Sequence, residues 1–288
     1  MDAVELLDRC DFPAGHLQLG VSGGADSVAM ALLAQAAERE FTIWHVHHGL
    51  HAEADEAAEV VEKLAADLGA GCEVCRVTID AGADLEARAR AARYEALPAD
   101  VCVGHTADDR AETVLLNLFR GAGLAGVAAR MDRVHRPILR LRRAETEALC
   151  AAAGHAVVAD PMNDDPSFRR VAVRRSVLPA AAEAFDRDVV PILNRHADLV
   201  GDALEVIDAA AAAIDPADVR AVRAAPRAVA TEALRRWIGD ELGSTEGIDL
   251  AAIDRALLVV DGTHKATELP GGHRLARTEG VLRIEQRP

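Results

Sequence analysis

Long hydrophobic runs and closely grouped cysteines are both scarce in this chain of 288 residues. No apolar run approaches the length of a membrane-spanning helix, and the N-terminus lacks the basic-then-apolar pattern of a secretion signal, so we expect no membrane association. The five cysteines are odd in number and thinly spread, which suits a reducing cytoplasm better than a disulfide framework. We also find no internal repeat and no low-complexity linker.

Basic residues are outnumbered, and the formal net charge is -15. That charge argues at first against a polyanionic partner such as nucleic acid. Its distribution is uneven, however: residues 1–119 carry -14, residues 120–175 carry +5 and residues 176–288 carry -6. Arginine suits bidentate phosphate contacts, although a solvated or salt-bridged surface is an equal alternative. The positive segment holds two arginine clusters: Arg136, Arg140, Arg142 and Arg143, then Arg169, Arg170, Arg174 and Arg175.

Short apolar runs alternate with amphipathic stretches over the first two-thirds of the chain. This alternation predicts an α/β fold in which helices cover both faces of a Rossmann-like parallel sheet. In such sheets, ligands bind beyond the carboxyl ends of the strands. The predicted strands are Leu17–Val21, Phe41–Val46, Cys72–Ile79 and Asp100–Val103, and the predicted helices are 26–39, 53–68, 84–97 and 109–119.

The pattern changes past about residue 188. Three long helices are predicted at Leu193–Ile214, Pro226–Leu242 and Leu250–Val259. Short strands and turns follow at Thr267–Leu269, Leu275–Arg277 and Val281–Ile284. We therefore predict two domains: an α/β domain over residues 1–190, and a smaller, mainly helical domain with short terminal strands over residues 191–288.

A glycine turn follows the first predicted strand, with the sequence Ser22-Gly23-Gly24-Ala25-Asp26-Ser27. Glycines let the backbone approach an anion closely, and the N–H groups at the start of the following helix point at it. The serine hydroxyls can add donors, and Asp26 can bind Mg²⁺. A serine-capped turn without any ligand is the alternative. The segment lacks the Gly-Lys-Ser/Thr ending of the Walker pattern.

A second group of polar residues, Gly104 to Thr113, begins where the fourth predicted strand ends. Asp109 and Glu112 are three residues apart, so they share a face of a helix. Two carboxylates in this position can hold Mg²⁺, bind an ammonium group or take a proton from an attacking amine. An equal alternative involves no ligand: Asp108 caps the helix, and the acids only stabilise its first turn.

Three other patterns are weaker. Gly121–Gly126 matches the dinucleotide-binding fingerprint but follows a predicted helix instead of a strand, which favours a flexible loop. The histidines at 45, 47, 48 and 51 straddle a strand end, so buried or loop histidines are favoured over a metal site. Cys72 and Cys75 lie inside a predicted strand, where positions three apart face opposite sides, and we interpret them as buried structural cysteines.

Taken together, these motifs resemble those of the tRNA(Ile)-lysidine synthetase family, and the Ser22–Ser27 turn resembles the PP-loop of the ATP pyrophosphatases. The ordered set covers most of the chain and is far more specific than any one member. Its segments are Ser22–Ser27, His45–Leu50, Glu86–Tyr94, His105–Thr113, Arg120–Gly123, Arg136–Leu139, Asp160-Pro161, Asn163–Asp165, Phe168–Arg174, Leu178-Pro179, Leu269–Gly272 and Arg277.

The resemblance implies a PP-loop ATPase domain and a two-step reaction. ATP adenylates the C2 carbonyl oxygen of the first anticodon cytidine of an isoleucine tRNA with a CAU anticodon, and pyrophosphate is released. The amine of free L-lysine then displaces AMP and gives lysidine. The implied cofactors are ATP and Mg²⁺. A homodimer, in which the partner is a second copy of the chain, is left open.

The resemblance also assigns roles. It implies that Ser22, Gly23, Gly24, Ala25, Asp26 and Ser27 bind ATP, with Asp26 near Mg²⁺. His105, Asp109 and Glu112 line the reaction centre, and the two carboxylates receive the lysine. Arg93 helps to neutralise phosphate or substrate charge. The arginines implied to face the tRNA are Arg136, Arg140, Arg170 and Arg174.

Four positions depart from the family pattern. Thr106 replaces a second histidine, Arg110 a glutamine, His47 an asparagine and Val171 an asparagine. The runner-up function is another PP-loop synthetase, either a tRNA sulfur-transferase or an ammonia-using ligase. A non-catalytic nucleotide or RNA binder is a third option, against which the intact acids count.

Overall fold

The computed structural model describes residues 2–47, 53–77, 88, 92, 94–129, 134–158, 169–244 and 247–286. The strands are β1 Leu17–Gly20, β2 Phe41–His47, β3 Gly71–Arg76, β4 Cys102–Val103, β5 Ala266–Glu268, β6 His273–Thr278 and β7 Val281–Gln286. The helices are α1 Val4–Leu7, α2 Ala25–Ala36, α3 Glu53–Leu68, α4 Ala107–Phe119, α5 Leu124–Val127, α6 Arg143–Ala153, α7 Arg169–Ala172, α8 Leu178–Ala184, α9 Val190–Ala212, α10 Val219–Ala224, α11 Arg227–Leu242 and α12 Leu250–Asp261.

The chain divides into two compact units. The first comprises Met1–Ala122 and Ala129–Ala197, and the second comprises Gly123–Ala128 and Asp198–Pro288. The domain division expected after residue 190 stays a prediction. Among the described residues, no helix combines the length and apolar content needed to cross a membrane.

The first unit is built on a parallel sheet of strand order β3-β2-β1-β4. Leu19 in β1 pairs in register with Ile43 in β2 and with Cys102 in β4, and all three side chains are fully buried. Hydrophobic side chains of α2, including Met30 and Leu33, pack in the same core. The predicted α/β class, with helices around a parallel sheet, is confirmed.

The order of the strands decides where ligands can bind. Strand β2 pairs with one edge of β1, and β4 pairs with the opposite edge of β1. The carboxyl ends of β1 and β4 therefore flank the point at which the strand order reverses, which is where open α/β sheets hold their ligands. Both polar segments singled out in the sequence begin at these two strand ends.

Local sequence signals located most elements of this unit. The predicted helix 53–68 has the bounds of α3, while α2 stops before the predicted end at 39 because Glu38 adopts a left-handed φ of 53°. The predicted strand Cys72–Ile79 is observed as Gly71–Arg76. Most of the predicted helix 84–97 lies outside the described residues.

The second unit is mainly helical, as predicted, and ends in a three-stranded antiparallel sheet of order β5-β6-β7. Its core is formed by side chains of α11, α12 and the sheet, among them Leu234, Ile253, Leu275 and Leu282. Helices α9, α11 and α12 and all three terminal strands lie where the sequence predicted them, within a few residues at each end.

Candidate active site

The Ser22–Ser27 turn joins β1 directly to α2. Gly23 has φ +91°, a conformation that residues with a Cβ rarely adopt, and Gly24 is the N-cap of α2. The Ser27 hydroxyl donates to the Gly24 carbonyl at 2.9 Å, and the Ser22 N–H donates to the Ser27 hydroxyl at 3.1 Å. Ser27 therefore braces the turn from inside, whereas the Ser22 side chain is exposed. The resulting helix N-terminus presents N–H groups and the positive end of a helix dipole, a combination that favours anions.

The loop after β4 touches this turn. A Cβ placed on Gly104 would lie 2.8 Å from the carbonyl carbon and oxygen of Asp26 and from the Cα of Ser27. No real Cβ atom tolerates such contacts with backbone, so glycine is required for the close approach. The turn that is predicted to bind phosphate and the segment with the acid pair are therefore adjacent.

The start of α4 fixes the orientation of Asp109. Its Oδ2 accepts hydrogen bonds from the backbone N–H of Thr106 at 2.8 Å and from the Thr106 hydroxyl at 2.9 Å. Asp109 thus takes part in capping α4, and its other oxygen points into the site. Thr106 is fully buried and satisfied by this pairing, so its departure from the family pattern has a local structural role.

Three arginines surround the acid pair. Glu112 is fully buried, and its carboxylate accepts from Arg170 Nε at 2.7 Å and from Arg174 Nε at 2.7 Å. Asp109 Oδ1 lies 3.1 Å from Arg170 Nη2. Buried charges need such partners, because an unpaired one is costly.

Arg143 links the acid pair to the turn after β1. Its Nη2 lies 2.9 Å from Asp109 Oδ1, its Nη1 lies 3.2 Å from Glu112 Oε1, and its Nε lies 3.5 Å from Asp26 Oδ2. Each nitrogen of one guanidinium group therefore faces a different carboxylate. The Thr146 hydroxyl, also on α6, forms a short hydrogen bond with Asp26 Oδ1.

Helix α6, which carries Arg143, was not predicted. Its N-cap is Arg142, not one of the usual capping residues, so the strongest start signal is absent from the sequence. Instead, Glu145 accepts from the Arg142 N–H at 2.8 Å, and Asp108 of α4 accepts from the Arg143 N–H at 2.9 Å. The available signal for Arg143 as a site residue was its membership of the arginine cluster at positions 136–143.

Burial and charge set the proton affinities. Burial, reinforced by the charge of Asp109, raises the pKa of Asp26 from 3.8 to about 6, although Thr146 and Arg143 oppose the shift. Burial also favours a raised pKa for Asp109, but Arg170, Arg143 and His105 outweigh it, and the pKa of Asp109 is lowered. Burial lowers the pKa of Arg143, but the three carboxylates outweigh it and the pKa is raised. The Asp109 carboxylate therefore stays ionised and is a weak base.

Other predicted site residues lie elsewhere or are engaged differently. Arg170 and Arg174, expected to face RNA, direct their guanidinium groups at the acid pair. Arg136 Nη1 donates to the Ala129 carbonyl at 3.1 Å, and Arg140 is exposed. Arg93 lies outside the described residues.

The weaker sequence patterns have local structural explanations. His45 is buried, with Nδ1 2.8 Å from the Val21 carbonyl oxygen, and His47 is buried with Nε2 3.0 Å from Asp55. Cys72 and Cys75 lie on a strand, as predicted, as free and partly buried thiols. The Gly121–Gly126 segment follows α4, as predicted, and so lacks the strand–loop–helix context of a dinucleotide site.

The fold and this turn define a PP-loop domain, and the PP-loop domain family model matches residues 3–181. Among solved structures, a U34-tRNA thiolase from Methanococcus maripaludis has the same fold: its TM-score is 0.51 at 16% identity, over 69% of this chain and 76% of that chain.

Curated relatives narrow the class. A tRNA(Ile)-lysidine synthase of Nocardia farcinica is 36% identical over 90% of this chain and 85% of its own length. That of Mycolicibacterium paratuberculosis is 35% identical over 100% of this chain and 99% of its own length, and that of Bordetella bronchiseptica is 38% identical over 82% and 78%. The chain belongs to the tRNA(Ile)-lysidine synthase family, and the resemblance noted in the sequence is confirmed.

Proposed function

We propose that this protein is an ATP-dependent carbon–nitrogen ligase that joins lysine to C2 of the first anticodon cytidine of tRNA(Ile). The products are lysidine, AMP and pyrophosphate. Family membership supports this activity, and one geometric observation carries it: Asp26 of the PP-loop and the Asp109–Glu112 acid pair meet at the guanidinium group of Arg143. The proposed phosphate and ammonium sites would therefore adjoin, as a reaction between a nucleotide-activated base and an amine requires.

ATP belongs at the PP-loop. The backbone N–H groups at the start of α2 and the exposed Ser22 hydroxyl offer donors to its phosphates. In the first step, the C2 oxygen of cytidine bonds to the α-phosphorus, and the bond from that phosphorus to the pyrophosphate oxygen breaks. In the second step, the lysine nitrogen bonds to C2, AMP leaves with the C2 oxygen, and the nitrogen loses a proton.

Mg²⁺ would be held at Asp26, where it would neutralise phosphate charge. The donor set fits this hard cation, because the Asp26 carboxylate supplies the oxygen ligands that Mg²⁺ prefers. The described residues contain no group of three or more His, Cys, Asp and Glu side chains arranged for a metal. One carboxylate from the protein, with oxygens from phosphate and water, is the arrangement that Mg²⁺ commonly adopts.

Asp109 and Glu112 would receive the lysine. The lowered pKa of Asp109 keeps it ionised and makes it suited to binding an ammonium group, not to removing a proton. His105 lies close enough to influence the charge of Asp109 and would line the same space.

We further propose that the RNA approaches the cleft between α4 and α7. Phe119 is 68% exposed and lines this cleft together with Arg120, Arg169 and the buried Val173. Among the described residues, no carboxylate pairs with either arginine, in contrast to Arg170 and Arg174. A cleft lined by an aromatic ring and two arginines suits an unstacked base with its phosphates, and an anticodon loop supplies such bases.

Replacing Phe119 with alanine should weaken tRNA binding about tenfold, because one base–aromatic stack is removed. Filter binding or fluorescence anisotropy at fixed salt would measure the affinity. Phe185→Ala is the matched control, since Phe185 is equally exposed, at 71%, but does not line the cleft. Equal losses in the two variants would contradict this proposal.

Mass analysis tests the proposed function directly. Wild-type protein incubated with ATP, isotopically labelled lysine and tRNA(Ile) should place the label on the anticodon cytidine. AMP formation should require both tRNA and lysine. AMP formation with ammonia or sulfide in place of lysine would support another PP-loop synthetase, and no AMP formation at all would support a non-catalytic binder.

A further inference from the structure

The protein's own side chains make the cluster around the acid pair electrically neutral when Asp26 is included. Arg143, Arg170 and Arg174 contribute three positive charges, and the ionised Asp26, Asp109 and Glu112 contribute three negative ones. Glu112 is fully enclosed, and the side chain of Asp109 is 13% exposed. A neutral, enclosed cluster attracts a cation only weakly, so lysine needs a change in this balance before it can bind well.

Arg143 is the member of the cluster that can shift the balance. Within the described part of the chain, Arg170 and Arg174 contact the acid pair, whereas Arg143 also reaches Asp26 in the PP-loop. Its guanidinium therefore lies beside the place proposed for the triphosphate. Phosphate oxygens compete well for arginine, because they accept charge-assisted and bidentate hydrogen bonds.

We propose that Arg143 is a positioning residue that couples the ATP and lysine subsites through the charge of the acid pair. When a triphosphate binds, Arg143 turns toward it, and Asp109 and Glu112 lose one of their three positive neighbours, which strengthens their attraction for the lysine ammonium group. This inference rests on the proposed function, and it makes ATP binding favour lysine binding. Because coupling between two ligands is reciprocal, lysine also tightens ATP binding.

Lysine affinity, measured by calorimetry with and without a non-hydrolysable ATP analogue, tests the coupling. In the wild type, the analogue with Mg²⁺ should tighten lysine binding about 5-fold to 100-fold. In Arg143→Gln, two arginines face three carboxylates. In the absence of the analogue, this variant should therefore bind lysine more tightly than the wild type does. The analogue should then add little. General damage to the fold would weaken lysine binding, which is the opposite sign.

Two further variants serve as controls for this test. Arg143→Lys retains the charge, so without the analogue it should bind lysine more weakly than Arg143→Gln does. Arg142→Gln removes the neighbouring arginine, which pairs with Asp108 and Asp188 instead of the acid pair, and should keep the wild-type ratio.

The inference is overturned if Arg143→Gln keeps the effect of the analogue, or if it binds lysine more weakly than the wild type without the analogue. Failure of the coupling is distinguishable from failure of the function. Wild-type protein that transfers labelled lysine to tRNA but binds lysine equally with and without the analogue would retain its function and refute the coupling. Protein that transfers no lysine would refute both.

Discussion

Gly104→Ala is expected to abolish most of the ATP-dependent activity and to destabilise the fold. The new methyl group would meet backbone atoms of Asp26 and Ser27 at 2.8 Å, so the two loops must move apart. A displacement on the order of 1 Å at a reacting centre can cost about 100-fold in rate. Forcing extra volume into a packed site costs about 1–3 kcal/mol in the free energy of unfolding.

Steady-state AMP formation and urea unfolding would measure these two effects. Gly71→Ala is the matched control, because its new Cβ would lie 3.6 Å from the Thr42 side chain, an ordinary contact on the same sheet. The control should retain activity. Wild-type activity in Gly104→Ala would show that the contact between the two loops is not needed for the reaction.

Asp26→Asn is expected to stop the reaction while stabilising the protein at neutral pH. The variant loses the carboxylate proposed to hold Mg²⁺, so AMP formation should fall below detection. The folded-state pKa of Asp26, about 6, lies above its ordinary value of 3.8, so the folded protein disfavours the ionised form. Asparagine keeps an acceptor for Thr146 without that charge. The free energy of unfolding should rise by about 1–3 kcal/mol above pH 6.

The sign of the pH dependence follows from the raised pKa. Stability contributed by protonated Asp26 is fully present below pH 3.8 and is lost as the pH rises through about 6. The advantage of Asp26→Asn should therefore be constant above pH 6 and shrink between about pH 6 and pH 3.8. Denaturant unfolding in metal-free buffer across this range would measure it, with the exposed Asp67→Asn as the control. A variant less stable than wild type at pH 8 would refute this account of Asp26.

Periodicity predicted most of the fold because hydrophobic spacing reports which face of each element is buried. It failed at α6, where Arg142 occupies the N-cap and the cap is completed by Asp108, which lies 35 residues before Arg143 in the chain. A helix start that depends partly on a tertiary partner leaves only a weak local signal, here Glu145 three residues after the N-cap. Likewise, the sequence shows the charge of Arg170 and Arg174 but not the acids that their guanidinium groups contact.

The sequence by itself determined the parallel sheet, the PP-loop after β1 and the acid pair after β4, because each depends on residue types at fixed local spacing. From the sequence alone, helix capping and ligand binding were alternative roles for the acids. The tertiary structure showed that Asp109 uses one oxygen to cap α4 and turns the other toward Arg143. It also brought Arg143 to three carboxylates, the nearer two of them 31 and 34 residues earlier in the chain. Only the adjacency of β1 and β4 creates that meeting point, and no local pattern encodes which strands are neighbours.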